Sequence, residues 1–334
     1  MRVFVNGFGR IGRSVVRAFM QGGWPGIQIV GINDIAPAEM CAYLFEYDSV
    51  FGPWRGAVAL QGGALVVDGR AIALHRVDDI SGLDLSGVDL VLECTGRADA
   101  RDVAARGLAA GAGRVLISGP SAAADFTVVL GANEAGLLRR GAAAGQRIVS
   151  NASCTTNALA PLVRLIDDNW GVVTGSMTTI HCYTGSQPTV DAPGADFARS
   201  RAAALSMVPT TTSAQRLLDM VLPHLAGRIA GSAVRVPVAS VSAVDLAVMT
   251  ARPARPEAVN ALFRAAGGTI AAGVIGATDR ALVSGDLRAR SESIVMACPE
   301  TRVTAGGMLR VFGWYDNEWG FSCRMLDVAS LMGV

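Results

Sequence analysis

Apolar and polar positions fall into short blocks along the first 150 residues. "RVFV", from Arg2, reads as a strand and "NGFGRIG" as a glycine turn; apolar positions then recur at helical spacing to about Met20, before a second strand in "IQIVGIND". That succession is one βαβ unit. "ALVVDGRAIAL" carries two alternating runs joined by Asp68-Gly69, and both turn positions tolerate positive φ, so a hairpin is expected. A strand in "VDLVLECTG", a helix in "ADARDVAARGLAAG" and strands in "RVLISGP", "DFTVVLGAN" and "RIVSNAS" follow. The pattern predicts an α/β fold, a mostly parallel sheet with helices on its faces. Polar residues and glycines gather where the runs end, at Asn6-Gly7, Asn33-Asp34, Thr95-Gly96, Ser118-Gly119 and Ser150-Asn151. Doubly wound sheets bind ligands at the carboxyl ends of their strands, so one ligand rim is expected there.

Beyond residue 154 the runs lengthen: "SMTTIHCYT", "AVRVPVASVSAVDLAVMTA", "ALVSGDL", "ESIVMA" and "MLRVFGWYD". They predict a second, α+β domain on a large mixed or antiparallel sheet, with a helix in "PEAVNALFRAAGG" that starts at a proline and stops at two glycines. Residues 185–212, rich in Pro, Gly, Ala and Arg, are expected to form a functional loop, and a last helix covers about 319–331.

Composition narrows the chemistry. At 334 residues and 51% apolar, the chain is long enough for two domains with a sizeable core. A net charge of +1, from 29 basic and 28 acidic residues, lacks the positive excess of a dedicated nucleic-acid binder. All the basic residues are arginines. Without lysine there is no Schiff-base chemistry and no Walker-type phosphate loop; an arginine-favouring codon usage explains the bias equally well, and the exclusions hold either way. The six cysteines show neither C-x-x-C pairs nor zinc spacing with histidine, which implies reduced, mostly buried thiols and no metal. "MRVFVNGFGR" is too short an apolar run for a signal peptide, and no stretch of about 18 apolar residues follows. A soluble, cytoplasmic protein without a membrane partner is expected.

"NGFGRIG" places Gly7, Gly9 and Gly12 as G-x-G-x-x-G between a strand and a helix, where backbone amides and the helix N terminus favour a pyrophosphate. The second strand ends in Asp34, placed to accept hydrogen bonds from a ribose diol. Its charge would repel a 2′-phosphate, which favours NAD over NADP. A turn-forming aspartate is the alternative for Asp34.

In "SNASCTTNAL", Cys154 stands among small and polar residues just before Leu159, Leu162, Val163 and Ile166 recur at helical spacing. Ser153, Thr155 and Thr156 are suitable caps, so Cys154 is expected in the first turn, where the helix dipole lowers a thiol's pKa and makes a nucleophile. Pro161 is expected to kink the helix. Of three histidines, His75 and His224 read as structural or surface residues, and His181, at a strand end near Thr184, is by elimination the best base.

Together these residues resemble the phosphorylating glyceraldehyde-3-phosphate dehydrogenase family. "VNGFGRIGR", "SNASCTTN", "RAAALSMVPTTT", "VRVP" and "WYDNEWG" follow the family's order along essentially the whole chain. The resemblance implies a cytoplasmic homotetramer that oxidises glyceraldehyde 3-phosphate with NAD and inorganic phosphate, through a thiohemiacetal and thioester on Cys154, with His181 as general base. Substrate and phosphate contacts are implied at Ser153, Thr155, Thr184, Arg199, Thr212, Ser213 and Arg235. Cofactor contacts are implied at Phe8, Arg10, Ile11, Asp34, Arg76, Thr95, Gly96, Ser118 and Asn317, the last on the nicotinamide amide. It also implies a Rossmann-type NAD-binding domain, 1–153 with 317–334, and a catalytic domain, 154–316.

The chain departs from the family pattern in places. Ser213 stands for a glycine, Gly185-Ser186 for Asn-Asp, Ala192 for a leucine near the adenosine, and Phe321 for a tyrosine near the nicotinamide. The change at Ala192 also occurs in members that accept NADP. The nearest rival activity is erythrose-4-phosphate dehydrogenase, whose members typically lack the threonine kept here as Thr184. A catalytically silent NAD-binding protein of the same fold is the alternative from a different class.

Overall fold

A computed structural model describes residues 1–140, 145–267 and 273–333. The chain divides into two compact units: Met1–Val128, Glu134–Ala152 and Ser322–Val334 form the first, and Val129–Asn133 with Ser153–Phe321 the second.

Among the described residues the first unit is built on nine strands: β1 (Arg2–Asn6), β2 (Gln28–Asn33), β3 (Val58–Gln61), β4 (Ala64–Val67), β5 (Arg70–His75), β6 (Leu90–Glu93), β7 (Arg114–Ile117), β8 (Phe126–Thr127) and β9 (Ile148–Ser150). Their order in the sheet is β3-β4-β5-β2-β1-β6-β7-β9-β8. From β5 to β8 all neighbours run parallel. Strands of this kind are covered on both faces, and all four residues of β6 are buried. The pair β4 and β5 is the expected hairpin: Val67 pairs with Arg70, and Asp68 and Gly69 both take positive φ, at 48° and 80°. The run "DFTVVLGAN" does less than its pattern predicts, because only Phe126–Thr127 joins the sheet. Asn133 Oδ1 accepts from the amide of Val129 at 2.8 Å and turns the chain away. Residues 129–133 thereby join the second unit, where Arg164 Nη1 donates to Ala132 O at 2.9 Å.

The second unit holds β10 (Val172–Cys182), β11 (Val208–Thr210), β12 (Ile229–Val236), β13 (Ser242–Thr250), β14 (Ile275–Thr278), β15 (Ile294–Ala297), β16 (Arg302–Val303) and β17 (Met308–Tyr315). The order is β11-β12-β10-β13-β17-β15-β14, with β16 beside β17. The sheet is mixed: β10 with β12 and β14 with β15 are parallel, and the other pairs antiparallel. In the β10–β12 register His181 lies opposite Arg235. The helix Cys154–Trp170 leads into β10 through Gly171, whose φ of 71° suits a helix stop. It continues through Pro161, whose ring lies where a Cβ on Gly131 would come within 3.2 Å.

The return to the first unit falls after Phe321, inside the closing helix Trp319–Met332. Asp316 explains why the turn before it stays with the second unit: Oδ1 accepts from the amides of Glu318 and Trp319, and Oδ2 from that of Ala289. Among the described residues no helix is long and apolar enough to cross a membrane, and no group of three His, Cys, Asp or Glu side chains could hold a metal ion.

Candidate active site

In the first unit the carboxyl ends of β1, β2 and β6 are tied together by buried side chains. Asn6 Nδ2 donates to Glu93 Oε2 at 2.6 Å, and Asn33 Nδ2 donates to Asn6 Oδ1 at 2.9 Å. Glu93 Oε1 also accepts from the amide and hydroxyl of Thr95. Around this network lies a cleft of about 220 Å³ lined in part by Asn6, Gly7, Gly9, Asn33, Asp34 and Thr95. The glycines have separate physical reasons. A Cβ on Gly7 would sit 2.7 Å from the backbone of Cys94 and Thr95, and one on Gly12 would sit 2.0 Å from Gly7 O. A Cβ on Gly9 would meet nothing within 4 Å, so there the missing side chain leaves open space at the start of the helix Arg10–Gln21. A backbone that clears its own turn, then leaves a helix N terminus open beside a carboxylate, fits a dinucleotide.

Asp34 is held ready by amides, with Oδ2 accepting from Phe8 N at 2.6 Å and Oδ1 from Ala36 N at 2.9 Å. These bonds make Asp34 a turn-forming residue, and they leave its carboxylate further lone pairs. Several other sequence candidates are occupied within the unit. Phe8 is buried and stacks on Phe45 with ring centroids 6.1 Å apart. Arg10 pairs with Asp48, a partner that no spacing indicated. Ile11 is half-buried, Arg76 Nε donates to Ile35 O at 3.0 Å, Gly96 takes a φ of 71°, and Ser118 N donates to Glu93 O at 2.9 Å.

In the second unit Cys154 is the first residue of its helix. Ser153 is the cap, its Oγ accepting from Thr156 N at 3.1 Å. Cys154 Sγ lies 3.6 Å from His181 Nε2. The expected low thiol pKa is not what this environment gives: the protein packed around Cys154 raises it, against the lowering pull of Thr155 and Arg235. Desolvation of the anion outweighs the helix end here. His181 is buried, and burial with the Arg235 charge pushes its pKa down from 6.5 to about 4, so the ring is neutral at pH 7. Its Nδ1 lies 2.7 Å from Cys182 O and 2.6 Å from Arg235 Nη1.

Sequence reasoning missed Tyr315. Its buried hydroxyl bonds Thr155 Oγ1 at 2.9 Å and Thr179 Oγ1 at 2.8 Å, and its ring meets the His181 ring edge-on at 6.0 Å. It thus clamps the first turn of the helix to β10, the strand that carries His181. Thr155 is accordingly turned inward. Asn317 is buried, and its Oδ1 accepts from Cys182 Sγ at 3.1 Å and Ser242 Oγ at 3.3 Å.

The remaining anion candidates are Thr184, Arg199, Thr212, Ser213 and Arg235. Arg235 is beside His181, as described. Thr184 Oγ1 lies 2.9 Å from Ser186 Oγ, and Arg199 Nε donates to Thr210 Oγ1 at 2.5 Å. Thr212 Oγ1 accepts from Ala214 N at 3.1 Å, and Ser213 precedes the helix Ala214–Val221 without capping it through its side chain. The loop around them exposes Val190, Phe197, Leu205 and Met207.

Comparison with known proteins decides the family. Residues 1–101 match the family described as glyceraldehyde 3-phosphate dehydrogenase, NAD binding domain, and residues 153–317 match its C-terminal domain. The chain belongs to the glyceraldehyde-3-phosphate dehydrogenase family. It is 45% identical over 335 residues to a glyceraldehyde-3-phosphate dehydrogenase of Xanthobacter flavus, a match covering 100% of this chain and 98% of the relative. Proteins of the same name from Cereibacter sphaeroides and Pseudomonas aeruginosa are 44% and 46% identical, over 100% and 98% of this chain and 98% and 97% of theirs. The chain is thus an NAD-dependent dehydrogenase of the glyceraldehyde-3-phosphate dehydrogenase type, and the resemblance carried by "SNASCTTN" and "WYDNEWG" is borne out.

Proposed function

We propose that the chain oxidises D-glyceraldehyde 3-phosphate to 1,3-bisphosphoglycerate with NAD and inorganic phosphate. The observation that carries this reading is the 3.6 Å approach of Cys154 Sγ to a neutral, buried His181 Nε2 at a helix start. Cys154 attacks the aldehyde carbon, forming a C–S bond as the carbonyl π bond opens to the oxyanion of a thiohemiacetal, and His181 takes the thiol proton. The raised thiol pKa makes that base necessary, because little thiolate forms unaided. When bound, NAD supplies the hydride acceptor whose action leaves a thioester on Cys154; the first-unit cleft with Asp34 would hold its adenosine side, and Asn317 its carboxamide. A phosphate oxygen then attacks the thioester carbon, the new C–O bond forms as the C–S bond breaks, and Cys154 leaves as thiolate to recover its proton from His181. With no lysine in the chain, Arg235, Arg199 and the hydroxyls of Thr184, Thr212, Ser213 and Ser153 are the groups available to hold the two phosphates.

On this reading residues 1–153 with 317–334 bind the cofactor and 154–316 the aldehyde, in a cytoplasmic homotetramer working in glycolysis or gluconeogenesis. The Asp34 carboxylate favours NAD over NADP by repelling a 2′-phosphate. A steady-state assay of glyceraldehyde 3-phosphate and erythrose 4-phosphate, with NAD and NADP and with and without phosphate, tests it. The largest kcat/KM is expected for glyceraldehyde 3-phosphate with NAD, dependent on phosphate; a larger value for erythrose 4-phosphate, or no turnover, would refute it. Cys154→Ser is expected to abolish phosphate-dependent NADH formation.

A further inference from the structure

Three strand ends meet beside Asn317, and two of them bring a hydrogen to its side chain. Cys182 closes β10, Ser242 opens β13, and Asn317 stands two residues past the end of β17. In the sheet β13 lies between the other two. The backbone around Asn317 is already pinned, since Asp316 accepts from the amides of Ala289, Glu318 and Trp319. What remains to be set is which end of the Asn317 amide faces inward. Ser242 Oγ accepts from Cys182 N at 3.1 Å, which leaves its own hydrogen to donate. Cys182 is buried, and burial pushes its pKa up to about 12, so at pH 7 the thiol keeps its hydrogen. Asn317 Oδ1, 3.1 Å from Cys182 Sγ and 3.3 Å from Ser242 Oγ, has two lone pairs for these two hydrogens. Turned over, the amide would bring N–H hydrogens to a place where the Cys182 amide, the thiol and the hydroxyl already need acceptors. Ser242 Oγ and a weakly accepting sulfur would then have to serve them all. Among the described residues Nδ2 has no hydrogen-bond partner, so the end of the amide left for a ligand is a donor.

We propose that Cys182 is a positioning residue for the cofactor: with Ser242 it holds Asn317 Oδ1 inward, so that Nδ2 is presented to the carbonyl oxygen of the nicotinamide carboxamide. The thiol acts through Asn317 and takes no part in the chemistry of Cys154. A side chain with no hydrogen to give in its place leaves Oδ1 with a single donor. The amide can then turn over and set oxygen against oxygen, and the carboxamide loses its fixed orientation. This inference rests on the proposed contact between Asn317 and the carboxamide, and it assigns to a second cysteine the task of orienting that contact.

The test compares calorimetric dissociation constants for NAD and for ADP-ribose, which carries everything but the nicotinamide. Cys182→Ala is expected to weaken NAD binding about threefold to tenfold, the range set by one hydrogen bond, and to leave ADP-ribose binding unchanged. A general loss of packing would weaken both ligands. Cys182→Ser, which puts a hydroxyl donor in place of the thiol, should bind NAD nearly as the wild-type protein does. In an Asn317→Ala background, Cys182→Ala should cost no further NAD affinity, because the group it orients is gone. Suppose Asn317→Ala weakens NAD but Cys182→Ala does not, or Cys182→Ala weakens ADP-ribose equally, or serine fails to rescue: the positioning role is then overturned while the carboxamide contact stands. If Asn317→Ala leaves NAD affinity unchanged, the contact itself is wrong and the role of Cys182 falls with it. Ser242→Ala carries the same comparison of NAD with ADP-ribose if Cys182→Ala does not fold.

Discussion

At His181 the cost of keeping an imidazole neutral should be visible in stability. Its folded pKa, about 4, lies below the ordinary 6.5, so between those values the unfolded chain binds the extra proton. The neutral ring's contribution is therefore intact above about pH 6.5 and is lost as pH falls through 4. Urea midpoints of the wild-type protein should drop between pH 7 and pH 5, and His181→Asn should flatten that drop while removing most of the turnover. Tyr315→Phe asks a different question. The hydroxyl it deletes is shared by Thr155 and Thr179, and leaving those groups without it should cost about 1–3 kcal/mol of unfolding free energy. Because the same hydroxyl fixes the helix start against β10, kcat should fall more than KM rises. A loss confined to stability would show that the clamp does not set the Cys154–His181 distance.

At the scale of elements, the glycine turn makes a sharp claim. Gly12→Ala would put a methyl 2.0 Å from Gly7 O, a backbone atom that can yield only by moving the turn. Destabilisation of about 1–3 kcal/mol is expected, together with weaker NAD binding in a calorimetric titration. This turn was legible in the sequence because its requirements are local: a strand, three glycines at fixed spacing and a helix are contiguous. The capped start of the helix Cys154–Trp170 and the Asp68-Gly69 hairpin were legible for the same reason. What stayed hidden depends on register. Alternation tells which face of a strand is buried, but a pairing shifted by two residues keeps every side chain on its face. Hence nothing in "TTIHCYTG" or "VRVP" says that His181 and Arg235 are neighbours. The Asn6, Asn33 and Glu93 network was equally invisible, joining three strands at their ends. The low thiol pKa failed for another reason: a helix start is a sequence property, whereas desolvation depends on everything packed around it.

For the whole molecule, the two-unit division carries a prediction about fragments. A chain ending at residue 152 lacks Ser322–Val334, which belongs to the first unit. Trp24 Nε1 then loses Asp327 Oδ1 at 2.7 Å, Arg114 Nη1 loses Met332 O at 2.5 Å, and the cover supplied by buried Leu326, Val328 and Ala329 is gone. Such a fragment should unfold at much lower urea than the intact protein and bind dyes that report exposed apolar surface. Cooperative unfolding at an unchanged midpoint would show that the last helix is dispensable to the unit it completes.

That closing helix also sets a schedule during synthesis. A ribosome delivers the strands of the first sheet long before it delivers residues 322–333, so the nascent cofactor module waits, partly uncovered, until that segment emerges. The second unit, nearly continuous from Ser153, has no such delay beyond the short segment it borrows from residues 129–133. The half of the chain made first is therefore the half finished last, and it has most to gain from a chaperone holding it through translation.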